Sequence, residues 1–155
     1  MPGTAIGRAV DYLVTQITAL PAAAQAVVSD GFPASRADLM VSVGVTNEDG
    51  GSEFEINWAG LGAGREDELF SIPVLIEAYA GGGPEVMSTV RLNAVAVLDA
   101  VNGLIRTDRT LGGALTSPGV AQVRNIRLVQ TNTPEEAGEG RYARIYLDVV
   151  CTSRF

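Results

Sequence analysis

A stripe of apolar residues at three- and four-residue spacing runs from Val86 to Ile105 and limits the possible folds more than any other pattern in the chain. The spacing predicts an amphipathic helix of about five turns. Pro84 suits the first turn of such a helix, and Glu85 suits the positive end of its dipole. A helix of this length with one apolar face must be covered by another layer, so we expect a layered domain.

A second apolar stripe predicts a helix over residues 4–20. Thr4 is the expected N-cap, and Pro21 is expected to stop or bend the helix. Residues 22–28 fit either a short helix or a strand, and the sequence leaves that choice open.

Alternating apolar and polar residues predict strands in the middle of the chain. Residues 39–46 alternate, residues 47–52 (NEDGGS) form a polar turn with an Asp-Gly pair, and residues 53–58 alternate again. This pattern predicts a hairpin. Residues 69–80 form the next strand, in which Pro73 indicates an edge or a bulge because proline cannot donate to a ladder.

Two further strands are predicted near the end, over residues 123–131 and 141–153. The order of elements is therefore α-β-β-β-α-β-β, with hairpins rather than regular βα alternation. We expect a single α+β domain over residues 1–155. It consists of a mostly antiparallel sheet of about five strands with the two main helices packed on one face.

The basic residues exclude several kinds of chemistry. All eleven are arginines, with no lysine or histidine, and the net charge is −7. A Ser-His-Asp triad, a histidine-ligated metal, a Schiff-base lysine and a Walker lysine are therefore all excluded. The only cysteine, Cys151, follows two valines in a predicted strand, where a buried and inert thiol is expected. We predict no enzymatic activity, no cofactor and no metal site.

Two motifs have both a chemical and a structural interpretation. Gly81-Gly82-Gly83 before the second helix could cradle a phosphate, but Pro84 removes a helix-start N–H and the chain has no lysine, so a structural joint is favoured. Three acidic clusters could bind a divalent cation or act in hydrolysis: Glu48-Asp49, Glu66-Asp67-Glu68, and Glu135-Glu136 with Glu139. They lie in separate segments, so solvated charge is favoured.

Four segments carry a resemblance to a known family. They are TAIGRAVDYLVTQITAL, FEINWAGLGAGREDELFSIPVLIEAY, VRLNAVAVLDAVNGLIRTDRTLGGAL and the C-terminal GRYARIYLDVVCTSRF. The stretches REDELFSIPVLIEAYAGG and LIRTDRTLGG are the most characteristic portions. Together these segments resemble the tail terminator and related neck (head–tail joining) proteins of long-tailed bacteriophages and gene transfer agents.

The resemblance implies a structural virion protein that is assembled in the host cytoplasm. Its copies would form a hexameric ring on the last ring of the major tail tube protein. That ring would end tube growth and join the tail to the head–tail connector. DNA would pass through the lumen without specific binding, and no membrane is involved.

A lumen lined with carboxylates would repel DNA. The expected lumen-facing acidic loops hold Glu48 and Asp49, or alternatively Glu135, Glu136 and Glu139. Complementary charges would fix the register between subunits. The expected contact residues are Arg65, Glu66, Asp67, Glu68, Arg106 and Arg109.

Other functions remain possible at this stage. The chain could be a head–tail connector or tail completion protein at an adjacent neck position. From other classes, it could be a ligand- or peptide-binding α+β module, or an enzyme that uses only aspartate and glutamate.

Overall fold

The computed structural model describes residues 4–46, 51, 53–62, 65–133 and 138–154. The helices are α1 and α2, and the strands are β1 to β6. In chain order the elements are α1 (Ile6–Thr18), β1 (Val27–Asp30), β2 (Leu39–Val43), β3 (Glu55–Gly62), β4 (Arg65–Gly81), α2 (Met87–Thr107), β5 (Val120–Asn132) and β6 (Gly140–Arg154).

These strands form one sheet in the order β1-β2-β4-β6-β5, with β3 also paired to β4. Every pairing is antiparallel except that of β1 with β2. Alternate residues of β4 and β6 lie in one hydrophobic core with the buried faces of α1 and α2. The predicted α+β fold with both helices on one face is therefore confirmed. We call this side of the sheet the helix side and the other the open face.

Helix α2 begins after a 3₁₀ turn at Pro84–Val86, so the α-helical part starts three residues after Pro84, the predicted first helical position. Its buried residues keep the predicted spacing: Val90, Ala94, Val97, Val101 and Ile105. Burying each valine or isoleucine stabilises the fold by about 1.5–3 kcal/mol, and these residues anchor the helix to β4, β5 and β6.

The predicted hairpin between residues 39–46 and 53–58 is wrong. Both segments are in the sheet, but they pair with the same edge of β4 rather than with each other. Val43 of β2 lies opposite Val74, and Glu55 of β3 lies opposite Ser71. The 17-residue β4 is long enough to hold both strands end to end. On either side of residues 47–50, which lie outside the described part, Thr46 N donates to Gly51 O at 2.7 Å.

Pro73 lies in this central strand, which keeps its register with β6, so both the predicted edge position and the predicted bulge are wrong. It faces the junction between β3 and β2, where neither strand has a ladder partner for it. Its carbonyl accepts from Gly44 N at 2.6 Å. The N–H and C=O of a strand residue point to the same side, so the donor that proline lacks would fall in this junction.

The sequence left residues 22–28 open, and their last part is the start of β1. Helix α1 ends at Thr18, and Pro21–Ala23 forms a 3₁₀ turn before β1. Strand β1 runs parallel to β2, and its Val27 is opposite Met40. Because parallel neighbours need a crossover, residues 31–38 cross the sheet between them.

Candidate interaction surfaces

Strand β3 exposes both of its faces to solvent. Residues 53–60 are all exposed, and among the described strands β3 pairs with β4 alone. Phe54, Ile56 and Trp58 alternate on the helix side and are 37%, 39% and 51% exposed. Glu55, which is opposite Ser71, lies on the open face, and the exposed Glu53 precedes the strand. An exposed edge strand with large apolar side chains is a ready partner for another strand.

Strand β5 forms the edge on the opposite side of the sheet. A bulge between Arg124 and Arg127 interrupts its register with β6, and Asn125 there has φ +55°. The Asn125 side-chain N–H donates to Asp148 Oδ2 at 2.8 Å, which holds the bulge to β6. Ile126 and Leu128 follow the bulge and are 53% and 42% exposed. This edge is therefore also apolar in part.

A groove lined by three arginines lies between the end of α2 and β5. Ile105, Arg106, Arg109 and Ile126 line a volume of about 330 Å³, and Arg124 borders it from the edge of β5. All three arginines are exposed. Within the described part of the chain, Arg106 and Arg109 make no side-chain hydrogen bond or ion pair. The structure thus brings two predicted contact residues together with Arg124, which the sequence did not single out.

Asp108 determines the path of the chain around this groove. Its carboxylate accepts from Thr110 Oγ1 at 2.7 Å and from Gly112 N at 2.8 Å. The Tyr12 hydroxyl of α1 donates to the same carboxylate at 3.4 Å. The hydrogen bond from the Thr110 side chain is the main cause that lowers the pKa of Asp108. The turn that separates Arg106 from Arg109 is therefore tied to α1.

Glu68 differs from the expectation that it contacts another subunit. Its side chain is fully buried in β4. Its carboxylate accepts from Ala5 N at 3.0 Å and from the Thr4 hydroxyl. The N-cap of α1 is Ala5 rather than the predicted Thr4, and no side chain of the cap residue bonds the helix. Glu68 supplies an acceptor at the start of α1, where negative charge is favourable.

Asp67 is also used inside the chain. Its carboxylate accepts from Arg154 Nε at 2.8 Å and from Arg154 Nη2 at 3.3 Å. The hydrogen bond from Arg154 lowers the pKa of Asp67. Arg65 and Glu66 belong to the N-terminal end of β4, but their side chains lie outside the described part. Glu68 is buried and the side chains of residues 65 and 66 are not described. Asp67 is therefore the predicted contact residue of this segment whose carboxylate is seen to be partly exposed.

A buried carboxylate on the open face was missed by the sequence analysis. Glu77 in β4 is 2% exposed and accepts from Arg36 Nη1 at 2.8 Å and Arg144 Nε at 2.9 Å. Arg36 comes from the crossover between β1 and β2, so this pair holds the crossover against the sheet. The available signal was a single acid within the alternating strand at residues 69–80.

The two predicted acidic loops leave the sheet at different places. Glu48, Asp49, Glu135 and Glu136 lie outside the described residues. Glu139 is described, is 67% exposed and lies 3.8 Å from Arg141. The first loop leaves beside Pro73 and the second beside Gly81, so their origins are about 26 Å apart along β4.

The glycine segment before α2 has the geometry of a joint. Gly82 has φ +127°, which favours glycine, and its N–H donates to Glu139 O at 3.1 Å. Gly83 N donates to Glu85 Oε1 at 3.0 Å. Backbone N–H groups, first that of Glu85 and then that of Gly83, lower the pKa of Glu85. The chain's own carboxylate thus occupies the position an anion would take.

Cys151 is buried on the helix side of β6. Burial, and then the nearby Glu68 charge, raises the pKa of its thiol to about 12. The expected burial is therefore confirmed. Within the described ranges, no three acidic or cysteine side chains meet as a metal-binding group. No helix in those ranges has the length and apolar character needed to span a bilayer.

Comparisons with known proteins add no further assignment. No protein-family model matches the chain, and the search of curated proteins finds no relative.

Proposed function

We propose that this chain is a structural subunit of the neck of a long-tailed bacteriophage or gene transfer agent. Its copies form a ring that caps the tail tube, ends tube growth and joins the tail to the head. The ring acts through its surfaces, without catalysis, cofactor or metal. The sequence resemblance is the starting point for this proposal.

The observation that carries the proposal is the pair of exposed strands at opposite sides of one sheet. β3 and β5 both present large exposed apolar side chains, and each is available for pairing with another chain. Two different exposed apolar edges on opposite sides favour head-to-tail contacts. Such contacts form a ring when the rotation between successive copies brings the last copy back to the first. A ring subunit needs this arrangement, whereas a monomeric binding module does not.

DNA passage is the second part of the proposal. The chain has net charge −7, and an acidic lumen would repel the DNA backbone. The loop with Glu48 and Asp49 and the loop ending at Glu139 are both candidates for lining it. In assembled particles, changing the lumen carboxylates to arginine should slow DNA release. Release at the unchanged rate for both loops would remove this part of the proposal.

The direct test is assembly on purified tail tubes. The protein is mixed with tubes that lack a terminator, and electron microscopy and mass measurement record whether a ring forms at one tube end. A discrete ring that stops further tube growth supports the proposal. A stable monomer that binds a small ligand, for example in the apolar hollow of about 350 Å³ between α1 and β3, would favour a binding module instead.

A further inference from the structure

We infer that the ring contact is a β-strand addition, in which the β5 edge of one copy pairs with the β3 edge of the next copy. This inference rests on the proposed ring, because it names the surfaces that join its subunits. The helices of both copies lie on the same side of the extended sheet.

Charge on the open face supports this pairing. Arg127 lies on the open face, since its guanidinium is 4.6 Å from the centre of the Tyr146 ring. Arg124 is opposite Asp148 on the same face. Glu55, opposite Ser71, occupies the open face of β3, and the exposed Glu53 comes two residues before it. When the two edges meet with the helices on one side, the exposed Arg124 and Arg127 face the acidic start of β3, and opposite charges across strands favour pairing.

Apolar side chains match on the helix side. Leu128 is opposite the buried Ile145, and Ile126 borders the groove above Ile105, so both belong to the helix side. Phe54 and Ile56 occupy the helix side of β3 in the next copy. One pairing therefore joins charge to charge on one face and apolar to apolar on the other. If one strand were shifted by one residue, its side chains would move to the opposite face, and both matches would be lost.

The edges also fit in length. The eight residues of β3 extend about 26 Å, and the 13 residues of β5 offer a longer edge. The two edges are different surfaces on opposite sides of the molecule, so the contact is head-to-tail and each copy keeps one edge for its next neighbour. Arg106 and Arg109 add positive charge beside β5 and favour approach of the acidic strand.

The first experiment exchanges charge between the two edges. One variant carries Arg124→Glu and Arg127→Glu, and the other carries Glu53→Arg and Glu55→Arg. Each alone places like charges across the contact and should lower ring formation on tail tubes at least tenfold. Mixed in equal amounts they should assemble again, with alternating subunits, and so should the chain with all four substitutions.

Matched controls separate this effect from a general change of charge. Arg8→Glu changes an exposed arginine on α1 whose guanidinium donates to Ala114 O rather than to either edge strand, and Asp38→Arg changes an exposed acid just before β2. Both should assemble like the unmodified chain. Equal loss in the controls, or failure of the folded mixture to recover, would overturn the strand pairing.

A second experiment keeps the charges unchanged in case a charge variant does not fold. Copies with Ile126→Cys are mixed with copies with Ile56→Cys and treated with a short bismaleimide. We expect crosslinks between these two positions and none when Leu92→Cys replaces Ile126→Cys. Crosslinks to Val27→Cys in β1, with none to Ile56→Cys, would show that the partner strand is a different one.

The two proposals can fail separately. Rings of the unmodified chain that ignore the charge exchange would reject the strand pairing and leave the ring function in place. Crosslinks between positions 126 and 56 without any ring on tail tubes would support the pairing and reject the neck function.

Discussion

Replacing Glu77 with alanine is expected to lower the free energy of unfolding by about 3 kcal/mol, the low end of the range for breaking a buried ion pair. The carboxylate is 2% exposed and lies 2.8 Å from Arg36 and 2.9 Å from Arg144. Arg36 is 49% exposed and can return to water, whereas Arg144 is 14% exposed and cannot. Arg144 keeps its stacking on Tyr142 at 4.6 Å, which reduces the loss by about 1 kcal/mol.

Urea unfolding measures this loss directly. With an m-value of about 2 kcal/mol/M, the midpoint should fall by about 1.5 M. Arg144→Ala should cost about 2–3 kcal/mol because it leaves a buried carboxylate beside a half-exposed partner. Arg36→Ala should cost less than about 1 kcal/mol, as for an exposed pair.

Glu139→Ala is the matched control, because this carboxylate is 67% exposed and 3.8 Å from its arginine. This substitution should lower the free energy of unfolding by less than about 0.5 kcal/mol. The reasoning is refuted if Glu77→Ala unfolds at the midpoint of the unmodified protein, or if the two arginine variants lose equal stability.

Three further predictions concern the end of the sheet where the first residues of β4 pair with the last residues of β6. Glu68→Ala should lower stability by about 1–3 kcal/mol, because the buried N–H of Ala5 loses its acceptor; a loss below 0.5 kcal/mol in urea unfolding would contradict the cap. The Asp67 pKa is lowered on folding, so its pair with Arg154 contributes stability at neutral pH and loses it as the pH falls through the folded pKa. NMR titration should give an Asp67 midpoint below the ordinary aspartate value, and Arg154→Gln should raise it. Cys151 should resist an aromatic disulfide reagent at pH 8 in the native protein and react in urea, because its thiol is buried with a pKa of about 12.

The sequence predicted the elements of the fold better than their partners. Period-two and helical patterns report which face of a segment is buried, and that information placed α1, α2, β5 and β6 correctly. The same patterns do not report which strand is the neighbour. The Asp-Gly turn at residues 47–52 therefore suggested a hairpin, although β4 is long enough to pair with both flanking strands.

The interaction surfaces divide in the same way. The sequence offered Arg106 and Arg109 as subunit contacts because of their charge; both are exposed in the described structure, and the contact itself stays a prediction. The third arginine of the groove, Arg124, is brought close only by the packing of β5 beside α2. Glu68 and Glu77 look like surface acids in the sequence, and only the fold shows the groups that bury them.

The end-to-end arrangement of β2 and β3 has a mechanical consequence. Among the described strands β3 has a ladder with β4 alone, so a pull across the sheet on β3 is carried to the other strands by that ladder. Glu68 lies in that part of β4, opposite Trp58, and holds the first residues of α1. Tension applied at this strand is therefore delivered to the beginning of a helix before it reaches the centre of the sheet.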